Sequence, residues 1–200
     1  MEVNESPYHA KPGRLLAGQG GFTLTELLVA MVLVGVIMAA LYSAYLNQQR
    51  AYETNQNVTA VQQNLRSAMY FLEKDLRMAG YDPKGAGGFG FTDIDSETQD
   101  NVRFTWDEDE DGALSGSGEY IAYRLNAADN ALERDRGDGS FMDVASFISD
   151  VAFTFYATDG TPTTDPLSIR SVGVTMQAER GGHIRELETV ILCRNIGLGG

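Results

Sequence analysis

Basic residues, cysteine, histidine and proline are all scarce in this chain, and each shortage removes a class of function. Fifteen Lys and Arg stand against 28 Asp and Glu, a net charge of −13 at pH 7. Glu2, Glu5, Lys11 and Arg14 cancel within the first 21 residues, so the remainder carries the same −13. Nucleic-acid contact needs a basic footprint, so no nucleic-acid partner is expected. The single cysteine, Cys193, excludes an intramolecular disulfide. Its neighbours Ile191 and Leu192 mark it as a buried strand thiol. With His9 and His183 as the only histidines, no Cys/His zinc cluster can form. His183 follows Gly181-Gly182 in an expected turn, where nothing nearby in sequence orients it as a catalyst. The loop from Gly85 to Gly90 lacks the lysine and the following helix of a phosphate cradle. No catalytic residue emerges, and an enzyme is not expected.

Proline is absent between Pro12 and Pro83, and between Phe22 and Ala79 the only glycine is Gly35. Helix breakers are therefore missing over a long stretch, and a helix over 22–79 is predicted, about 87 Å long at 1.5 Å per residue. Its two parts differ. From Leu27 to Leu46 there is no charge, a run of about 20 residues that suffices to cross a bilayer. Beyond it, Val58, Val61, Leu65, Ala68, Leu72, Leu76 and Ala79 recur at three- and four-residue steps and make one face apolar. Gly80 is the expected C-cap and Pro83 blocks continuation.

Ahead of the apolar run stands Gly20-Gly21-Phe22-Thr23-Leu24-Thr25-Glu26. A secretory signal places its apolar core before the cleavage site. Here the order is reversed: the polar segment 1–21 precedes the glycine pair, and the apolar core follows it. Cleavage after Gly21 would leave the apolar helix on the mature chain. Lys11 and Arg14 place the leader on the cytoplasmic side and the body across the membrane. Glu26 is the charge that directly abuts the run. A carboxylate at the centre of a membrane helix costs about 2.5–3.5 kcal/mol, so Glu26 either finds a partner, such as the α-amine of Phe22, or snorkels to the headgroups.

The remainder, 80–200, reads as β. Strands are expected at Val102–Trp106, Glu119–Leu125, Ala131–Arg136, Val151–Ala157, Ile169–Ala178 and Ile184–Cys193, with hairpin connections at Asn126–Asn130 and Gly181-Gly182. Phe141–Ser149 reads as a short helix or irregular cover. The expected fold class is α+β: a long N-terminal helix, its first part (22–46) membrane-spanning and its second (47–79) amphipathic, packed on a C-terminal antiparallel sheet.

An acidic loop, Asp107-Glu108-Asp109-Glu110-Asp111-Gly112-Ala113-Leu114-Ser115, carries a second candidate site. Asp107, Asp109, Asp111, Ala113 and Ser115 occupy positions one, three, five, seven and nine of an EF-hand-type calcium loop, with Gly112 at the turn. Gly118 stands at the position of the bidentate glutamate, and Glu119 comes one residue late. The loop is a candidate calcium site, with a solvated acidic turn as the alternative.

The segment Gly21-Phe22-Thr23-Leu24-Thr25-Glu26-Leu27 with its apolar run resembles the processing motif of the type IV prepilin and pseudopilin family. The resemblance implies cleavage after Gly21 by prepilin peptidase, N-methylation of Phe22, and a role for Glu26 in meeting the N-terminal amine of a neighbouring subunit. It implies partners among major and minor pilins, an inner-membrane assembly platform and membrane lipid. Localisation would be a single pass in the bacterial inner membrane with the body periplasmic, then a pilus or pseudopilus. Phe71–Asp82 and Cys193-Arg194-Asn195 resemble PilW-type minor pilins. The expected function is a PilW-like minor type IV pilin. The alternatives are a J-like pseudopilin of type II secretion and a membrane-anchored, calcium-dependent adhesion or binding protein.

Overall fold

A computed structural model describes residues 20–94, 99–115 and 118–196. Two compact units divide the chain, one up to Gln49 and one from Arg50 onward, and each is described by itself. Helix α1 runs Leu24–Leu76. It starts two residues later than expected because Thr23 serves as its N-cap. It ends three residues earlier because the bonding pattern tightens. Arg77 N–H still bonds the Glu73 carbonyl, but Met78 and Ala79 bond the carbonyls of Asp75 and Leu76, three residues back. Gly80 then turns to φ +74°, a conformation glycine adopts without strain, and donates its N–H to the Thr105 carbonyl. A Cβ there would lie 2.7 Å from Ile196 Cγ1, so the tight approach also requires glycine.

In the first unit α1 is apolar from Leu24 to Leu46 and has no buried residue, and the opening residues of the second unit, 50–60, have none either. In the second unit Val61, Leu65, Ala68, Met69, Leu72 and Leu76 are buried at helical spacing. Of the residues expected on that face, Val58 alone is only half-buried. A stripe that complete, closed against sheet residues, removes enough apolar surface to account for most of this half's helical stability.

The strands are β1 (Phe91–Asp93), β2 (Asn101–Thr105), β3 (Tyr120–Asn126), β4 (Ala131–Asp135), β5 (Met142–Ser146), β6 (Ile148–Tyr156), β7 (Ser171–Arg180) and β8 (His183–Leu192). They form two antiparallel sheets, β1-β2-β3-β4-β5 and β6-β7-β8, rather than one continuous sheet. One core unites them with the helix: Phe104, Ile121, Tyr123 and Leu132 from the first sheet, and Phe153, Val172, Val174 and Met176 from the second. The division falls at Phe147, whose φ of +65° is unusual for a bulky residue and turns the chain out of β5 into β6. Asn64 of α1 pins this corner, its Oδ1 accepting the Ser146 N–H at 3.1 Å.

The reading of Phe141–Ser149 as helix or irregular cover is corrected. Met142, Asp143, Ala145 and Ser146 pair with Arg134, Glu133, Leu132 and Ala131, with a register shift between Leu132 and Glu133. As an edge strand β5 buries only Ala145, so it shows no apolar alternation to read. β1 was not anticipated either, because only Phe91 among its residues is apolar. Cys193 is buried as expected, and burial pushes its thiol up to about 12.

Candidate functional site

The N-terminal segment is built for access. Gly20, Gly21 and Phe22 lie outside any regular element and are exposed, Phe22 at 90%. Chain neighbours aside, no atom of the described residues lies within 4 Å of where a Cβ would stand on either glycine. The leader over 1–19 lies outside the described residues, so the candidate cleavage point is the first stretch with a geometry. One turn on, Thr23 and Glu26 form a reciprocal cap. Glu26 N–H donates to Thr23 Oγ1 at 3.2 Å, and Glu26 Oε2 accepts from Thr23 N–H at 3.1 Å and from Thr23 Oγ1 at 3.0 Å. This is the S/T-x-x-E capping box, legible in the sequence but not read there. The cap holds the carboxylate at the positive end of the helix, four residues from Phe22.

The acidic loop folds around its own carboxylates. Asp107 is fully buried, and its two oxygens accept from the N–H of Asp111 at 3.1 Å and of Gly112 at 3.0 Å. Asp109 Oδ1 also accepts from Asp111 N–H, and Asp111 Oδ1 from Ala113 N–H. Glu119, one residue late for an EF-hand, nevertheless reaches the cluster. One oxygen each from Asp107, Asp109, Asp111 and Glu119 lie within 4.8 Å of one another. Ser115 joins through its hydroxyl, 3.3 Å from Asp111 Oδ2, while its N–H donates to Glu119 Oε2 at 2.8 Å. The Ala113 carbonyl accepts the Ser115 N–H at 3.0 Å. At Asp109 the Asp111 N–H pulls the carboxyl down, but burial and the charges of Asp111, Glu119 and Asp107 outweigh it and leave the group above its ordinary value. A hard divalent cation held by oxygens, as calcium is, is the ligand this donor set fits.

A third group was missed in the sequence. Asp75 lies on the buried face of α1, and its Oδ2 accepts from Tyr123 Oη at 2.6 Å and pairs with Arg134 Nη2 at 2.7 Å. Burial, then the Asp75 charge, pushes the Tyr123 phenol far above its ordinary range. A signal existed: Asp75 continues the stripe Ala68–Leu72, where a charge is out of place unless paired. Nearby, Asn195 Nδ2 donates to the Arg77 carbonyl at 3.1 Å, so the segments Phe71–Asp82 and Cys193–Asn195 meet at the end of the helix.

Two family models match the chain. The prokaryotic N-terminal methylation motif covers residues 16–42, which contain Gly21, Phe22 and Glu26. Prepilin peptidase-dependent protein B covers residues 54–180, more than half of the chain. The chain belongs to the prepilin peptidase-dependent protein B family. No curated protein matches it. As a prepilin peptidase-dependent protein it is a type IV prepilin- or pseudopilin-like structural subunit and not an enzyme. Prepilin peptidase and pilin-type subunits are its partners. The apolar first half of α1 is consistent with anchoring in a membrane, since it is long enough to cross one and wholly uncovered.

Proposed function

We propose that the chain is a PilW-like minor type IV pilin that helps start or build the filament. It is cut after Gly21, methylated on Phe22, and held in the inner membrane by residues 22–46 with its body on the far side. From there the assembly platform would draw it out of lipid and into the filament. The observation that carries this reading is the contrast within α1: an uncovered apolar half led by a capped carboxylate, continued by a half already buried in its own body. In the filament, Glu26 would exchange its local cap for the α-amine of a neighbouring subunit, a charged partner in an apolar environment. The contact of Asn195 with the end of α1 supports the PilW-like assignment, because it joins the two segments that carry that resemblance.

Calcium at Asp107, Asp109, Asp111 and Glu119 belongs to the same proposal, supported by the mutual reach of four carboxylate oxygens. Were this loop the seat of the function, the chain would instead be a calcium-dependent binding protein on a membrane anchor.

Deleting the gene and counting surface pili by electron microscopy, with type II secretion assayed in the same strain, tests the proposal. Sparse or absent pili with normal secretion is the expected result. Normal pili with failed secretion would make the chain a J-like pseudopilin, and both intact would leave the calcium-dependent binding protein.

A further inference from the structure

The second sheet ends in an edge that nothing in the described chain covers. β8 pairs with β7 over ten residues in unbroken register, from Arg180↔His183 to Ser171↔Leu192. The connection is Gly181-Gly182, both at positive φ (+59° and +77°), a two-residue hairpin turn. In such a hairpin the flanking pair exchanges both backbone hydrogen bonds, and hydrogen-bonded pairs then alternate along the ladder. The odd-numbered residues of β8 therefore bond to β7. Ile184, Glu186, Glu188, Val190 and Leu192 turn their N–H and C=O outward. Two contacts agree with this phase. Cys193 N–H continues the ladder to the Arg170 carbonyl, and Arg185 Nη1 reaches the outward Ile184 carbonyl at 2.9 Å. From Glu186 to Leu192 no hydrogen bond to the outer edge is found among the described residues.

Proteins that keep a long edge in solvent blunt it with charged side chains, lysine above all, with proline or with a bulge. β8 has no lysine, proline or bulge, and its charges end at Glu188, so Thr189–Leu192 carries no such device. Its outward residues instead carry apolar side chains in solvent, Val190 at 61% and Leu192 at 59% exposure. We propose that β8 is a docking strand, completed by an extended strand of a different pilin-type subunit. That strand would carry Lys or Arg opposite Glu186 and Glu188 and apolar residues opposite Val190 and Leu192. The charge pattern selects against a second copy. Antiparallel self-pairing centred on Leu187 sets Glu186 against Glu188 twice, and centred on Glu188 sets that residue against itself. Like charges directly opposite destabilise a strand pair, and two chains of −13 repel from a distance. Registers slid to centre on Thr189 or Val190 escape the like pairs but set Glu188 against apolar Val190 or Leu192. Backbone bonds would supply affinity here and the alternating side chains specificity, as in strand addition generally.

The inference rests on the pilin reading, and the test separates the two. In the native cell, the full chain carries p-benzoylphenylalanine at Leu192, at exposed Met142 on β5, or at Leu33 in the apolar half of α1. Expected is photocrosslinking from position 192 to a pilin-type subunit at least ten-fold above that from 142, at a segment with alternate basic residues. Glu188→Lys should cut this yield about ten-fold, and an acidic reversal in the crosslinked partner should restore it. Val190→Pro, which removes only an outward N–H, should do the same while β7 and β8 amides keep their exchange protection. Crosslinks from Leu33 with none from 192 above the level at 142, or capture of a second copy, would overturn strand docking and leave the pilin reading standing. Silence at both 33 and 192 would remove the pilin reading, and the docking strand with it.

Discussion

The two halves of α1 share a helix and differ in where their partners are. Past Ala60 the apolar side is closed against two sheets, and even a charge, Asp75, has its hydroxyl and guanidinium within the chain. Before that point the helix is more apolar and has no buried residue. Burial of apolar surface is the main force available to a folded chain. A half that forgoes it internally is consistent with anchoring in a membrane. On the proposed pilin reading, one half of α1 is part of a fold and the other part of an assembly, and mutations should separate the two cleanly.

The largest effect is expected at the start. Gly21→Leu should abolish leader removal, leaving precursor-length protein in membrane fractions on an immunoblot, while the body keeps its melting temperature. Mature-length protein from this variant would break the processing claim. Glu26→Gln sharpens it, because glutamine still completes a capping box but carries no charge. Cleavage should be normal and recovery in purified filaments should fall at least ten-fold. Full recovery would mean that the capping role seen here is the whole role of Glu26.

The same truncation placed in each half gives the next test. Leu72→Ala should destabilise the body by about 2–5 kcal/mol, because Leu72 is fully buried and its removal leaves a cavity. Leu33→Ala should leave denaturant unfolding of the detergent-solubilised chain unchanged and act only on filament yield. Equal losses would mean that the first half contributes to the stability of the body. A smaller change tests the pairing of Asp75. Tyr123→Phe removes one of its two partners and should cost about 1–2 kcal/mol in the same unfolding measurement. A neutral result would show that Arg134 alone satisfies the carboxylate.

What could be read in advance follows the same division. Both halves of α1 were legible because uninterrupted hydropathy and a three-to-four residue period are local properties. Strands with one covered face, such as β7 with its strict alternation, were legible for the same reason. β5 was not, since an edge strand with one buried residue has no period, and its identity lies in its pairing with β4. The break into two sheets depends on one backbone angle at Phe147 and on the grip of Asn64, a residue 82 positions from the bond it makes. Glu119 comes one residue late when loop positions are counted along the chain, yet it belongs to the candidate ligand set with Asp107, Asp109, Asp111, Ala113 and Ser115. In space the chain folds back and brings its carboxylate among those of Asp107, Asp109 and Asp111.

That loop complicates the contrast, because it is a part of the body that gathers four carboxylates of like charge. The fold holds Asp109 among like charges, with its carboxyl raised above the ordinary value. A raised acid in the folded state binds its proton more tightly than in the unfolded chain. The ion-free body therefore gains from this group as pH falls through the raised value, and forfeits that gain above it. A bound divalent cation would supply the same neutralisation at neutral pH. If the affinity is that of extracellular calcium modules, about 10⁻⁴–10⁻³ M, then 1 mM calcium should stabilise the body by about 0.4–1.4 kcal/mol. The increment should shrink in mildly acid buffer as protons compete, and 1 mM magnesium should not reproduce it. Asp109→Asn separates the ion from the charge: it should raise the calcium-free melting temperature slightly and remove the calcium increment. A calcium response that survives Asp109→Asn would place the ion elsewhere. No response in the parent chain would make the loop a solvated turn, and the uncovered half of α1 and the edge of β8 would then be the two surfaces that look outside the chain for partners.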